Sequence, residues 1–152
     1  MTTTVSRQRV HDFYQARMSR DAARIEPFLN DDVTWFISGP VDVIPFCGVR
    51  HGKKNVIDAI VRIVPALLTV TKLELDELLI EGERVAGFTR VTGVQTSTQR
   101  IIKYQRAELF QFRNNKVVSY RSILDSFDVV EQVLGHQIDL SVPRRSLEVS
   151  KN

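Results

Sequence analysis

The chain predicts an α+β fold in which a curved antiparallel sheet wraps around N-terminal helices to form a cone with one internal pocket. Two observations carry this expectation. Helical spacing and helix-capping residues dominate the chain as far as Pro65, and four long β-branched and aromatic segments follow, separated by short turns. Helices first and a sheet afterwards define the α+β class. One layer of helix cannot cover four long flat strands, so the sheet must curl. With 152 residues, 43% of them hydrophobic, the chain has enough apolar material for one domain with a real core. The expected boundaries are 1–135 for the domain and 136–152 for a polar tail.

Ser6 is a suitable N-cap for a first helix through about Ser19, with Val10, Phe13, Tyr14 and Arg17 on one stripe. Asp21 can cap a short second helix carrying Ile25, Phe28 and Leu29, which Pro27 should distort or restart. Residues 33–37, VTWFI, read as a strand. Residues 38–52 contain Gly39, Pro40, Pro45, Gly48 and Gly52 and read as a long loop, a candidate rim or lid. A third helix starts at about Lys53, with Val56, Ile57, Ile60, Val61 and Val64 at helical spacing, and Pro65 should stop it. The strands Val70–Ile80, Arg84–Thr96, Arg100–Arg113 and Lys116–Leu124 form a meander of three hairpins. Phe127–Leu134 is a last helix, with Gly135 placed to end it.

Composition excludes several functions. Net charge is only +3, from 21 basic and 18 acidic residues, and the adjacent basic pairs Lys53-Lys54 and Arg144-Arg145 make no phosphate-tracking run. Nucleic acid is therefore not an expected partner. A single cysteine, Cys47, rules out a disulfide within the chain, and three scattered histidines give no metal site. No glycine-rich phosphate motif is present, so no cofactor is expected. The apolar-rich stretch from Val56 to Leu68 is broken by Asp58, Arg62 and Pro65, and no signal-like apolar run opens the chain. A cytoplasmic protein that does not span a membrane is the expectation.

The stretches SRDAARIEPFLNDDVTWFISGP, FCGVRHGKKNVIDAI and AELFQFRNNKVVSYRSILDSFD resemble the SnoaL-like polyketide cyclase and ketosteroid isomerase group of the nuclear-transport-factor-2-like fold, over roughly residues 6–134. The resemblance implies a pocket for a small apolar or cyclic molecule, a homodimer through the outer sheet face, and acid–base chemistry without a cofactor. In the limonene-epoxide-hydrolase branch, an arginine–aspartate pair and a tryptophan–arginine–aspartate run fall here on Arg90-Val91-Thr92 and Tyr120-Arg121-Ser122. The first pair keeps its arginine, but hydroxyl residues replace both catalytic aspartates. In the ketosteroid isomerase pattern, the first-helix tyrosine falls on Phe13 beside Tyr14, and the base falls near Ser38, Gly39 and Pro40, with Asp42 three residues beyond Gly39. The oxyanion-hole acid falls on Glu108. These residues do not make a steroid isomerase.

The candidate catalytic residues are thus Glu108, for proton transfer, and Arg90, to hold an anionic or carbonyl group. Tyr14, Trp35, Ser38, Thr92, Tyr120 and Ser122 are the candidates to shape the pocket. The same residues also fit competing readings. A two-residue turn at Asn114-Asn115 would put Glu108 opposite Arg121 and turn Ser122 to the other face. Arg90 could neutralise a neighbouring acid instead of a ligand. The aromatic residues, Tyr104 among them, could be plain core. If apolar groups wall Glu108, burial should raise its pKa; an arginine partner should lower it. Asp125 is expected to cap the last helix.

Overall fold

The computed structural model describes residues 4–141 of the chain. Helix α1 spans Arg7–Ser19, and the Ser6 side chain caps it by accepting from the Arg9 N–H at 3.0 Å. Asp21 caps α2 (Ala22–Ile25), and the chain tightens into a 3₁₀ turn at Glu26–Phe28, where Pro27 sits at the start. Proline is tolerated there because the first turn of a helix has no N–H partner to lose.

Six strands follow in one sheet of order β2-β1-β6-β5-β4-β3. They are β1 (Leu29–Ile37), β2 (Gly48–His51), β3 (Leu68–Glu81), β4 (Arg84–Gln95), β5 (Ile101–Arg113) and β6 (Lys116–Leu124). All neighbours are antiparallel except β1 and β6, which run parallel. The sheet is curved and unclosed, and α1 packs its buried stripe of Val10, Phe13 and Tyr14 into the concave side. Alternation along β5 is strict. Ile102, Tyr104, Glu108, Phe110 and Phe112 are buried, whereas Ile101, Lys103, Gln105, Ala107 and Leu109 face out. Helix α5 (Ser126–Leu134) closes one end, capped by Asp125, which accepts from Asp128 N–H, and terminated by Gly135 at a φ of 79°.

Three local expectations are corrected. Residues 48–51 are not loop but a short edge strand on β1. The segment before it is no loose lid: Ile44, Phe46 and Cys47 are buried, and Arg50 donates to the carbonyls of Pro45, Phe46 and Cys47. Asp42 is exposed on it. Pro65 does not stop the third helix. The helix runs as α3 (Lys53–Asp58), a π turn (Ala59–Ile63) and α4 (Val64–Leu67), with Pro65 in the first turn of α4. The π turn restarts the helix, so the proline meets an N-terminal position instead of an interior one. Of the expected polar tail, residues 142–152, which include the Arg144-Arg145 pair, lie outside the described residues.

The hairpin register is the fourth correction, and it decides the site. Near the turn, Arg113 pairs with Lys116 and Phe112 with Val117, as a two-residue turn demands. A bulge then intervenes, and beyond it Gln111 pairs with Ser119 and Glu108 with Ser122. One extra residue on β6 shifts every later pair by one, which exchanges the faces of the strand. Glu108 and Ser122 therefore share the inner face, and Arg121 lies on the outer one opposite Leu109.

Candidate functional site

The inner face of the sheet can be read in rows. One row runs Val85, Phe110, Tyr120, Trp35; the next runs Gly87, Glu108, Ser122, Ile37; a third holds Thr89, Arg106 and Leu124. Cross-strand pairing thus sets a carboxylate at the centre of the cone, with aromatic rings on one side and a guanidinium on the other. Glu108 is 1% exposed. A carboxylate at that depth is costly unless it is paired and hydrogen-bonded.

Five side chains meet it. Tyr120 Oη donates to Oε1 at 2.5 Å and Tyr14 Oη to Oε2 at 2.8 Å. Thr89 Oγ1 donates to Oε2 at 3.2 Å. Arg17 Nη1 and Arg106 Nε each lie 3.1 Å from Oε1. A carboxylate offers about four lone-pair sites, so Glu108 is saturated. Burial alone would push its carboxyl up, but the charges of Arg106 and Arg17 and the hydrogen bonds from Tyr120 and Tyr14 outweigh that and hold it below the ordinary carboxylate range. Of the two expectations left open, the lowering by an arginine partner applies, although the partners are Arg106 and Arg17 and not Arg121: the apolar walls are present, and the two arginines overcome them. Burial and the Glu108 charge together push the Tyr14 and Tyr120 hydroxyls up, so both phenols stay protonated as donors.

The arrangement depends on one glycine. Gly87 stands directly opposite Glu108, and a Cβ there would lie 2.6 Å from the Tyr14 hydroxyl. Only the missing side chain lets the phenol reach the carboxylate. Arg17 is fixed from α1: its Nη2 donates to Tyr120 Oη at 3.4 Å, and its guanidinium lies 5.0 Å from the Tyr120 ring and 5.2 Å from that of Trp35. Those two rings stack at 3.7 Å because parallel pairing sets Trp35 beside Tyr120.

Beside this cluster lies a cavity of about 70 Å³. Its wall is apolar for the most part, with Trp35, Phe46, Ile60, Val91 and Leu124, and includes Ala59 from the π turn. Its polar members are Tyr104 and three arginines, Arg17, Arg20 and Arg106; no carboxylate, histidine or cysteine lines it among the described residues. The Cys47 thiol is buried, and burial pushes it up to about 11. No group of His, Cys, Asp and Glu suited to a metal ion exists among the described residues.

The predicted site residues thus divide. Glu108, Tyr14, Tyr120 and Trp35 come together. Ser122 is fully buried next to Glu108 in its row, and its Oγ has no hydrogen-bond partner among the described residues. Ser38 caps the end of β6, its Oγ accepting from Leu124 N–H at 3.2 Å. Arg90 and Thr92 are corrections. Strand alternation turns both to the outer face, because Thr89 and Val91 take the inner positions. Arg90 is half exposed there and grips Asp76 in a two-pronged pair at 2.7–3.0 Å. Sequence reasoning missed Arg106 and Thr89, and placed Arg17 on the buried stripe of α1 without giving it a part in the site. The signal was present: Arg106 falls on the inner stripe of β5, between Tyr104 and Glu108, where Glu108 is the one other charged member and the rest are aliphatic or aromatic.

The SnoaL-like domain signature matches residues 10–120. The chain belongs to the SnoaL-like family. A crystal structure from Rhodopseudomonas palustris, provisionally assigned as an isomerase, is 26% identical and superposes with a TM-score of 0.80, covering 87% of this chain and all of that one. An NTF2-like protein from Burkholderia pseudomallei is 24% identical at a TM-score of 0.74, over 83% of this chain and 95% of the other. An M. tuberculosis epoxide hydrolase resembling limonene epoxide hydrolase is 13% identical at 0.67, over 84% and 88%. The last two establish the shared fold alone. Among curated proteins, none matches the chain by sequence. No helix among the described residues is long and apolar enough to cross a membrane.

Proposed function

We propose that this protein binds a small, largely apolar molecule in the cavity beside Glu108, and that Glu108 is a fixed anion organising the cavity wall. One observation carries the reading: the carboxylate is saturated by five side chains and held ionised by two arginines. A general acid or base needs a pKa near the working pH and reach to its substrate. Glu108 has neither, and burial raises Tyr104, the one hydroxyl in the wall, further from neutrality. A binding module is therefore favoured over a catalyst. A cofactor-independent isomerase, cyclase or hydrolase is the second reading, supported by the assignment of the Rhodopseudomonas palustris protein.

Trp35 is the only tryptophan and stands in the cavity wall, so its fluorescence reports occupancy. Titration with single-ring neutral compounds such as benzyl alcohol should give a saturable change. Ala59→Phe, which fills the wall, should abolish it while the circular dichroism stays native. A wild type without saturable response contradicts the reading.

A homodimer through the convex face and a cytoplasmic location complete the proposal. Leu79, Ala86 and Leu109 form one outer row and Phe88, Ala107 and Ile123 the next; Leu79, Phe88, Leu109 and Ile123 are exposed, making a continuous apolar patch. Sedimentation at the mass of one chain at micromolar concentration would count against the dimer.

A further inference from the structure

The charges around the cavity do not cancel. Arg17 and Arg106 carry two positive charges, Glu108 one negative charge, and the tyrosines stay neutral, which leaves a surplus of one positive charge at the cavity's inner end. Arg20 adds a third guanidinium to the wall, anchored by its Nη2 on the Val70 carbonyl at 2.9 Å, and no acid lines the wall among the described residues. Glu108 is fully committed behind it. An uncompensated charge in an apolar enclosure is expensive, and a bound counter-charge relieves it.

The hydrogen-bond pattern says where that counter-charge sits. Arg17 spends both terminal nitrogens, on Glu108 and Tyr120. Arg106 spends only Nε, which donates to Thr89 Oγ1 at 3.0 Å and lies beside Glu108. The two terminal nitrogens of Arg106 make no hydrogen bond to any described residue, although the side chain is only 11% exposed and lines the cavity. Both nitrogens of the fork are free, and their spacing matches the two oxygens of a carboxylate. Phe46, Ile60, Val64 and Val91 line the same cavity and offer only apolar contact.

We infer that the ligand is a hydrophobic monoanion, a carboxylate on a small ring, whose carboxyl group docks on the free fork of Arg106 while its ring lies against Trp35 and the π turn. This deepens the binding reading and rests on it. The assignment gives Arg106 the anion-holding part that sequence reasoning gave to Arg90, whose own guanidinium is occupied by Asp76 on the other side of the sheet.

Benzoate and its neutral counterparts benzamide and benzyl alcohol separate the possibilities when titrated against Trp35 fluorescence at neutral pH. Benzoate is expected to bind at least tenfold more tightly than either neutral ring. Arg106→Gln should bring that ratio close to one, with benzoate losing at least tenfold more affinity than benzyl alcohol. Should Arg106→Gln fail to fold, Arg106→Lys keeps the charge and loses the fork, and its benzoate preference should fall by several-fold. Equal binding of benzoate and the neutral rings by wild type overturns the anion inference and leaves the cavity reading standing. A benzoate preference unchanged in the Arg106 variants overturns the assignment to this residue. No binding by any of the three compounds removes both.

Discussion

Two arginine–carboxylate pairs stand back to back on the same sheet, and they teach opposite lessons. Arg90 and Asp76 meet on the convex face with near-ideal two-pronged geometry. Arg106 and Arg17 meet Glu108 on the concave face at longer distances, in a crowd of phenols. The outer pair looks better as a drawing. Water already solvates both of its partners, so forming the pair changes little. The inner group has no water to fall back on, so each contact around Glu108 replaces lost hydration, and removing one partner strands the others. Depth, more than bond length, decides which pair matters.

Breaking the inner cluster should have the largest effect. Glu108→Gln leaves Arg17 and Arg106 buried without their anion, which is expected to cost about 3–5 kcal/mol of unfolding free energy in urea. The same variant should change the acid limb of stability. The folded-state pKa of Glu108 is depressed, because the arginine charges and phenol bonds outweigh burial. Its stabilising contribution is therefore complete above the unfolded glutamate value of about 4.3 and is lost as pH falls from there toward the lower folded value. Wild type should lose stability across that window, and Glu108→Gln should lose correspondingly less.

A smaller, more selective break is Gly87→Ala. Its Cβ would compete with the Tyr14 hydroxyl for one position, so Tyr14 must leave Glu108. Overpacking of this kind costs about 1–3 kcal/mol. A Tyr14→Phe, Gly87→Ala double mutant should recover part of the loss, because the clashing oxygen is gone. Full additivity of the two single changes would show that the clash lies elsewhere. Smallest of all is Arg90→Ala. The unfolding midpoint should match wild type, and so should the affinity for any ligand of the cavity. A clear loss in either would erase the contrast between the faces.

How much of this the sequence shows depends on whether the deciding interaction is local. Ser6, Asp21, Asp125 and Gly135 announce helix ends through short-range capping, and each does what its residue type implies. The four long strands are legible because alternation and turn residues recur along the chain. The site depends on register, and register hangs on one bulge between Gln111 and Phe112. Nothing in NNKVVSYRS marks the extra residue, so an ideal hairpin turns Ser122 away from Glu108, whereas the real one sets them side by side. Arg90 fails for a related reason. Its parity on β4 is fixed by Thr89 and Val91, which take the buried positions, and that alternation overrides the resemblance to epoxide hydrolases. Arg106 needed only the opposite trust: a charged residue on an apolar stripe beside an acid is a buried pair in waiting.

The central claim is that Glu108 is a permanent anion at the heart of the cone. Carboxyl-carbon NMR titration of the wild type, with Glu108→Gln to assign the resonance, tests it directly. A midpoint below the ordinary glutamate value of about 4.3 is the predicted result, with the signal unchanged through neutral pH. A midpoint above that value, drifting toward neutrality, would contradict the account and return Glu108 to the role of proton carrier.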